Sequence, residues 1–309
     1  MLTIAITGGT GFIGRALVNA HLANGDKVRV LTRKPKLAPY GSKPYLGDLM
    51  RHIPYSFTDG VDIVYHLGAE KRDKSLVYEV NSHGTQRLLD RASGRCGRWI
   101  QLSTVGVYGP PNGTVAIKEN YEPRPANDYE ASKLDADLRV IESCSKSGLS
   151  WGILRPSNVV GQTMTNQSAF ALAKSVISGK FIFIGSPRAV STYIHVDDVV
   201  NALIKIGRGK SGTIINYSSD CSWISLVEQI SKRAGCPMPR YRIPKAAARL
   251  IALGFGKLPN FPLTKQRIDS LSRLAGYPID LARESLRLTP ILPMPEGFNT
   301  ITDKVLSER

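Results

Sequence analysis

The sequence predicts an α/β protein, a doubly wound parallel sheet with a smaller lobe towards the C-terminus, and three features carry that reading. The chain opens on an apolar run that passes through a glycine turn into an apolar-periodic helix. Short apolar runs then alternate with helical patterns, as strands and crossover helices do in a parallel sheet. Finally, a strand ending in Ser103-Thr104 is followed by a helix that carries a Tyr and a Lys four residues apart.

Leu2 to Ile6 reads as a buried parallel strand, and Phe12 to Leu22 as the helix returning over the sheet. Gly8, Gly11 and Gly14 stand between them at GxxGxxG spacing, with Phe12 and Ile13 in the first helical turn. The first glycine permits a tight turn, the second lets backbone approach a phosphate, and the third lets helix and strand pack closely. The pyrophosphate of a dinucleotide would sit at the helix N-terminus, where free N–H groups and the helix dipole favour negative charge. A glycine triplet alone says little; its place after a strand and at the start of a helix gives it meaning.

Lys27 to Leu31 is the second strand. Thr32 occupies the place where an NAD-binding fold carries an acid for the ribose hydroxyls, and Arg33 and Lys34 follow it. A missing acid beside a cation accommodates a 2′-phosphate and favours NADP(H) over NAD(H). The other reading of Arg33 and Lys34 is that they flank Pro35 in an exposed loop. Asp48, followed by Leu49, comes after a third short strand and can place a carboxylate near the adenine. The fourth strand, Val61 to Leu67, ends in His66-Leu67-Gly68-Ala69, small residues that let the chain pass close beside a cofactor. His66 reads as structural.

Glu79 to Ala92 is predicted as one helix with Asn81 in its first turn, and Trp99 to Ser103 as the fifth strand. Its end puts Ser103 and Thr104 where open α/β sheets bind ligands. A loop from Gly109 to Asn127 leads to a helix from Asp128 to about Lys146. There Tyr129 and Lys133 share a face. A nearby ammonium lowers the pKa of a phenol towards working pH and can hold the nicotinamide ribose, and the Thr104 hydroxyl can complete a donor pair around a substrate oxygen.

With 309 residues, 42% of them hydrophobic, the chain can bury one large core or a core plus a smaller lobe. No apolar run approaches the ~20 residues that span a bilayer, and no signal peptide precedes the first strand, so a soluble cytoplasmic protein is expected. Cys96, Cys144, Cys221 and Cys236 lack metal-ligand spacing and read as free thiols, and no metal is expected. The net charge is +16, and between Lys232 and Leu288 twelve Lys or Arg stand against three acids. No helix-turn-helix, RNP-type or zinc pattern accompanies this charge, so nucleic acid is not the expected partner. An anionic substrate, an anionic membrane surface and a solvated basic face remain open. Lys245 to Lys257, apolar with cations at its ends, reads either as an interfacial helix with membrane-surface contact or as an ordinary lobe helix. Asp197 and Asp198 read as caps of a following helix.

On TGGTGFIG, HLGAEK, NSHGTQRLL, STVGVYG, YEASK, LRPSNVVG and YIHVDDVV, in that order, the chain resembles the extended short-chain dehydrogenase/reductase family of NAD(P)-dependent sugar epimerases and dehydratases. The resemblance implies a Rossmann NAD(P)-binding domain over 1–161 and about 186–211, and a substrate-binding lobe over about 162–185 and 212–309. It implies Thr104, Tyr129 and Lys133 as catalytic residues. Asp48, Leu49, Leu67, Gly68, Ala69, Lys71, Asn81 and Pro156 are implied to line the cofactor site, and Glu70, Ser103, Asn158 and Arg188 to face the substrate. A homodimer through the helices that begin at Glu79 and Asp128 is implied as well.

Within that family the chain is most similar to surface-polysaccharide (O-antigen type) 4-epimerases and 4-ketoreductases, including those of polyprenyl-diphosphate-linked sugars. Gly68 to Asp73, Ser178 to Gly185 and Ile243 to Arg273 carry the likeness. In one departure, Ser191 stands where many nucleotide-sugar epimerases carry an arginine for the substrate diphosphate, and Arg188 is the nearest cation. The expected activity is hydride transfer at C4 of a nucleotide- or polyprenyl-diphosphate-linked hexose, as an epimerase or a 4-ketoreductase. The alternatives are an NADPH-dependent reductase of an apolar ketone and, more remotely, a dinucleotide-sensing or nucleic-acid-binding non-enzyme.

Overall fold

The computed structural model describes residues 1–111, 113–255 and 264–308. Seven parallel strands form the central sheet: β1 (Thr3–Thr7), β2 (Lys27–Thr32), β3 (Lys43–Leu46), β4 (Val61–His66), β5 (Cys96–Leu102), β6 (Ser150–Pro156) and β10 (Thr213–Tyr217). Their order is β10-β6-β5-β4-β1-β2-β3, with Ile6 opposite Val30 on one side and Tyr65 on the other. The winding direction reverses between β1 and β4, and a reversal of this kind opens a crevice at the carboxyl ends of the strands. β1 is apolar on both faces because both are covered: Ile4, Ala5 and Ile6 are fully buried.

On one face, α1 (Phe12–Ala23) and α6 (Val196–Arg208) pack Leu17, Val18, Val199, Leu203 and Ile206 against Ile4 and Ile6. On the other, α2 (Tyr55–Thr58), α3 (Gly84–Ala92) and α4 (Asp128–Ser147) set Phe57, Leu88, Leu89, Val140 and Cys144 against Ala5, Val64 and Trp99. Each fully buried aliphatic side chain contributes roughly 1.5–3 kcal/mol relative to exposure. The single helix expected from Glu79 is instead a π-helical turn over Glu79–His83 followed by α3. The Thr85 hydroxyl of α3 donates back to the Asn81 carbonyl in that turn (2.5 Å), and the Asn81 side chain bonds a neighbouring loop.

The rest of the chain forms the lobe. β7 (Asn158–Val160), β9 (Val190–His195) and β11 (Ser219–Ser222) make a three-stranded sheet, and β8 (Phe183–Ile184) pairs with β12 (Arg242–Ile243). α5 (Ser168–Ile177), α7 (Trp223–Ala234) and α11 (Asn299–Ser307) enclose a second core around Phe170, Val176, Phe181, Trp223, Leu226, Phe298 and Ile301. α8 (Lys245–Phe255) and α9 (Lys265–Leu271) pack together at its edge, and α10 (Asp280–Leu286) returns to the main sheet. Gly256 and Lys257, the end of the expected apolar-basic stretch, lie outside the described residues.

Two boundaries therefore move. β10 belongs to the central sheet, pairing Ile215 with Leu154, and Ala282 and Leu288 join the first core, so the segment from 212 is not wholly lobe. Conversely, β7 and β9 share the lobe's sheet, placing residues before 162 and after 185 in it. Asp198 does not cap α6. It accepts from the N–H groups of Ile291 and Leu292 and so ties the C-terminal segment to the helix, while the cap is His195, whose Nδ1 accepts from the Asp197 N–H (3.3 Å).

Candidate active site

The glycine turn connects β1 to α1. Gly8 has φ +70°, and a Cβ there would lie 2.8 Å from the Gly68 nitrogen. A Cβ on Gly14 would lie 2.1 Å from the Gly8 carbonyl oxygen, so α1 rests directly on the turn. Gly11 differs: its Cβ would meet only the Gly8 oxygen, at 3.2 Å, and otherwise points into open space. α1 carries no acid in its first turn and no side-chain cap, leaving its N–H groups aimed into that space.

Two cavities meet over the turn. The outer, about 710 Å³, is lined by Gly8, Gly11, Arg33, Lys34, Asp48, Leu49 and Gly68, among others. The inner, about 580 Å³, is lined by Phe12, Ile13, Gly14, Leu67, Ala69, Lys71, Ser103, Thr104, Tyr129, Pro156 and Asn158, among others. Two cavities joined across an open glycine and a free helix N-terminus fit the two halves of a dinucleotide on either side of its pyrophosphate. Asp48 accepts from the Met50 N–H (2.7 Å), and its other carboxylate oxygen is 3.8 Å from Nε of the largely exposed Arg33. Thr32 is buried, bonding its hydroxyl to the Lys34 backbone.

At the inner cavity, Thr104 sits between β5 and the turn Val105–Tyr108, its Oγ1 accepting from the Gly106 N–H (3.0 Å). Tyr129 is the second residue of α4, whose start is fixed by Asn127 Oδ1 accepting from the Glu130 N–H (3.0 Å). Lys133, one turn on, is buried, and its Nζ donates to the Leu102 carbonyl at 2.6 Å. Here the electrostatics differ from expectation. Burial, reinforced by the carboxylates of Glu130 and Asp137, pushes the Tyr129 phenol up to about 12 rather than down. Burial also lowers Lys133 to about 8, against the opposing pull of Asp137. The ammonium is directed to the strand end, so it does not offset the desolvation of the phenol.

Several expected site residues have other roles. Asn81 is buried outside both cavities: Oδ1 accepts from the Glu70 N–H (2.7 Å), and Nδ2 donates to the Glu70 carbonyl (2.8 Å) and Ser132 Oγ (3.0 Å). It positions the loop that carries Ala69 to Lys71 instead of lining the cofactor space. Glu70 borders both cavities, but its Oε1 accepts from the Lys71, Arg72 and Asp73 N–H groups, and these bonds, that to Arg72 first, lower its pKa. The Ser103 hydroxyl donates to Asp137 (2.8 Å) and is spent there. Asn158 lies between the inner cavity and a third one, donating to the Thr192 carbonyl (3.1 Å). Arg188 is exposed and lines neither. The cations on the third cavity, about 410 Å³, are Arg267 and Arg273, with Thr192, Tyr193 and Trp223 also in its wall. His66 is structural as expected: its two nitrogens bond Thr7 and Thr85.

The sequence reading missed the network beneath the site. Asp137 is fully buried and takes Ser103 Oγ and the Arg155 guanidinium (3.0 Å) on one oxygen. Arg155 also donates to the Tyr108 hydroxyl (2.8 Å), which donates to Asn216 on β10 (3.0 Å). The available signal was the spacing of Lys133 and Asp137, one turn apart on one helix face.

A model of the NAD dependent epimerase/dehydratase family matches residues 4–217. The uncharacterised protein y4nG of Sinorhizobium fredii is 29% identical over 230 residues, 69% of this chain and 58% of its own length, so the chain spans less than two thirds of that relative. A dTDP-glucose 4,6-dehydratase of Actinoplanes is 26% identical over 307 residues, covering 89% of this chain and 96% of its own. Among solved structures, UDP-glucuronic acid 4-epimerase from Bacillus cereus, in complex with NAD, superposes with a TM-score of 0.77 over 99% of both chains at 20% identity, a likeness of fold.

Proposed function

The chain belongs to the NAD-dependent epimerase/dehydratase family, an NAD(P)-dependent enzyme of the extended short-chain dehydrogenase/reductase type, and from there we propose that it transfers hydride at C4 of a diphosphate-linked hexose in surface-polysaccharide synthesis. The observation that carries the proposal is the opening of Thr104 and Tyr129 onto the inner cavity, which meets the outer one across the glycine turn. A nicotinamide bound there would supply or accept the hydride. The chain itself handles the proton. Held above its ordinary value, the Tyr129 phenol donates its proton to the C4 oxygen as a ketone is reduced, and the phenolate this leaves takes the hydroxyl proton when the C4 alcohol is oxidised. Thr104 Oγ1 accepts from Gly106, which leaves its own O–H to donate to the same oxygen. Lys133, anchored on the Leu102 carbonyl, sets the depth of the α4 turn that carries Tyr129.

Arg33 and Lys34 at the outer cavity, beside a buried Thr32 in place of an acid, support NADP(H). Arg267 and Arg273, reached past Asn158, take the part the sequence reading gave to Arg188: they meet the diphosphate of a nucleotide or a polyprenyl carrier. A homodimer through α3 and α4 completes the proposal. The test is turnover of UDP- and dTDP-hexoses and their 4-keto forms with either cofactor, by wild type and Tyr129→Phe. We expect C4 epimers or reduced 4-ketosugars from wild type and a loss of about 10²–10⁴-fold in the variant. Turnover confined to apolar ketones, or undiminished in the variant, overturns the reading.

A further inference from the structure

We propose that the outer ridge of α8 is a docking surface for an anionic lipid bilayer. The helix has a clear inside: Ala248 is fully buried against Ile184 and Ile268, so it is anchored to the lobe. Its outside inverts the usual order of a surface helix. Leu250 and Leu253, one turn apart, are 69% and 79% exposed, with Ile251 at their flank (37%). Three large apolar side chains held out to water within four residues are unusual in a helix that packs its small residue inwards.

The charge around the ridge selects the occupant. Asp269 on α9 is paired with both Lys245 (3.2 Å) and Arg249 (3.0 Å) of α8. That leaves one negative charge against two cations there, with exposed Arg240, Arg242 and Lys265 close by in sequence. An apolar ridge on a segment with excess positive charge suits an interface of acyl chains beneath anionic headgroups, because it uses both kinds of contact at once. No described helix is long and apolar enough to cross a membrane, so the contact would be peripheral. α9, which packs on α8, also supplies Arg267 and Leu271 to the third cavity, so a docked lipid surface would lie one helix away from that cavity.

The inference does not depend on the reading of the active site, and its test keeps the two apart. Full-length protein is sedimented with vesicles of phosphatidylcholine alone and of phosphatidylcholine containing phosphatidylglycerol, and dinucleotide binding and melting temperature are measured in parallel. Expected is binding to the anionic vesicles, weakened by salt, and a drop of at least about tenfold for Leu250→Glu/Leu253→Glu with cofactor binding and melting unchanged. Failure of the wild type to sediment with anionic vesicles overturns the proposal. So does equal binding by the double variant, and so does a ridge that serves a second copy, seen as a dimer lost in the double variant without any vesicle binding.

Discussion

Substituting alanine at Gly11 and at Gly14, three residues apart, should separate cofactor binding from folding. At Gly14 the new methyl carbon would lie 2.1 Å from the Gly8 carbonyl oxygen, 2.7 Å from its carbon and 2.9 Å from the Gly9 Cα, all backbone atoms. Ordinary contact begins near 3.4 Å, so α1 would have to move by more than about 1 Å off β1. Overpacking of this kind costs typically 1–3 kcal/mol, and more where only backbone can yield. At Gly11 the single neighbour is 3.2 Å away, φ is −82°, and alanine adopts that conformation freely, so stability should change by less than about 1 kcal/mol. The methyl would nonetheless stand where the pyrophosphate approaches the helix N-terminus. Denaturant unfolding and titration with NADPH and NADH read the two effects. We expect Gly14→Ala to lose stability and binding together, and Gly11→Ala to keep its unfolding midpoint while dinucleotide affinity falls at least about tenfold, or 1.4 kcal/mol. A Gly11→Ala protein that binds dinucleotide like wild type would refute the assignment of this turn.

Three further outcomes follow from the same structure. Arg33→Ala should weaken NADPH by about tenfold and leave NADH nearly unchanged, since a charged group facing a phosphate contributes roughly 1.5–3 kcal/mol; equal losses for both would remove the 2′-phosphate assignment. Asp137→Asn leaves the Arg155 guanidinium buried without its counter-charge and should cost about 3–5 kcal/mol in urea unfolding; a cost under 1 kcal/mol would mean that the network is dispensable. For pH, burial lowers His66 to about 3 from the ordinary 6.5. Between those values the unfolded chain binds a proton that the folded protein refuses, so stability is unaffected above 6.5 and falls as the pH drops below it, by roughly 2 kcal/mol at pH 5 from this residue. A His66→Gln variant whose stability falls just as steeply between pH 6.5 and 5 would show that the proton is taken up elsewhere.

What could be read from the sequence was whatever is local. The strand–glycine–helix unit from Thr3 to Ala23 announces itself because each of its constraints acts within a few residues, and the Tyr129–Lys133 spacing is legible for the same reason. Tertiary neighbours set the rest. Nothing near Asn81 in the chain indicates that its amide clamps Glu70, eleven residues earlier, rather than meeting a cofactor. The phenol of Tyr129 was expected to be lowered by Lys133 on spacing alone, but spacing does not reveal that the ammonium is turned to Leu102, thirty-one residues away, or that burial dominates both groups. Likewise β10 joins the main sheet across a chain separation of about sixty residues from β6, which periodicity cannot detect, and the third cavity is lined by Arg267 and Arg273 rather than Arg188 because the fold brings α9 and the segment after it beside α5 and β9.

The central claim is that hydride leaves and returns at C4 while Tyr129 moves the proton on the attached oxygen, and isotope tracing tests it most directly. A UDP-hexose deuterated at C4 is incubated with the enzyme and oxidised cofactor, and the nicotinamide and the sugar are examined by mass spectrometry. The account predicts deuterium on the nicotinamide, or retained at C4 of the epimer, with both lost in Tyr129→Phe. Deuterium washed into solvent, or transfer unchanged in Tyr129→Phe, would contradict it.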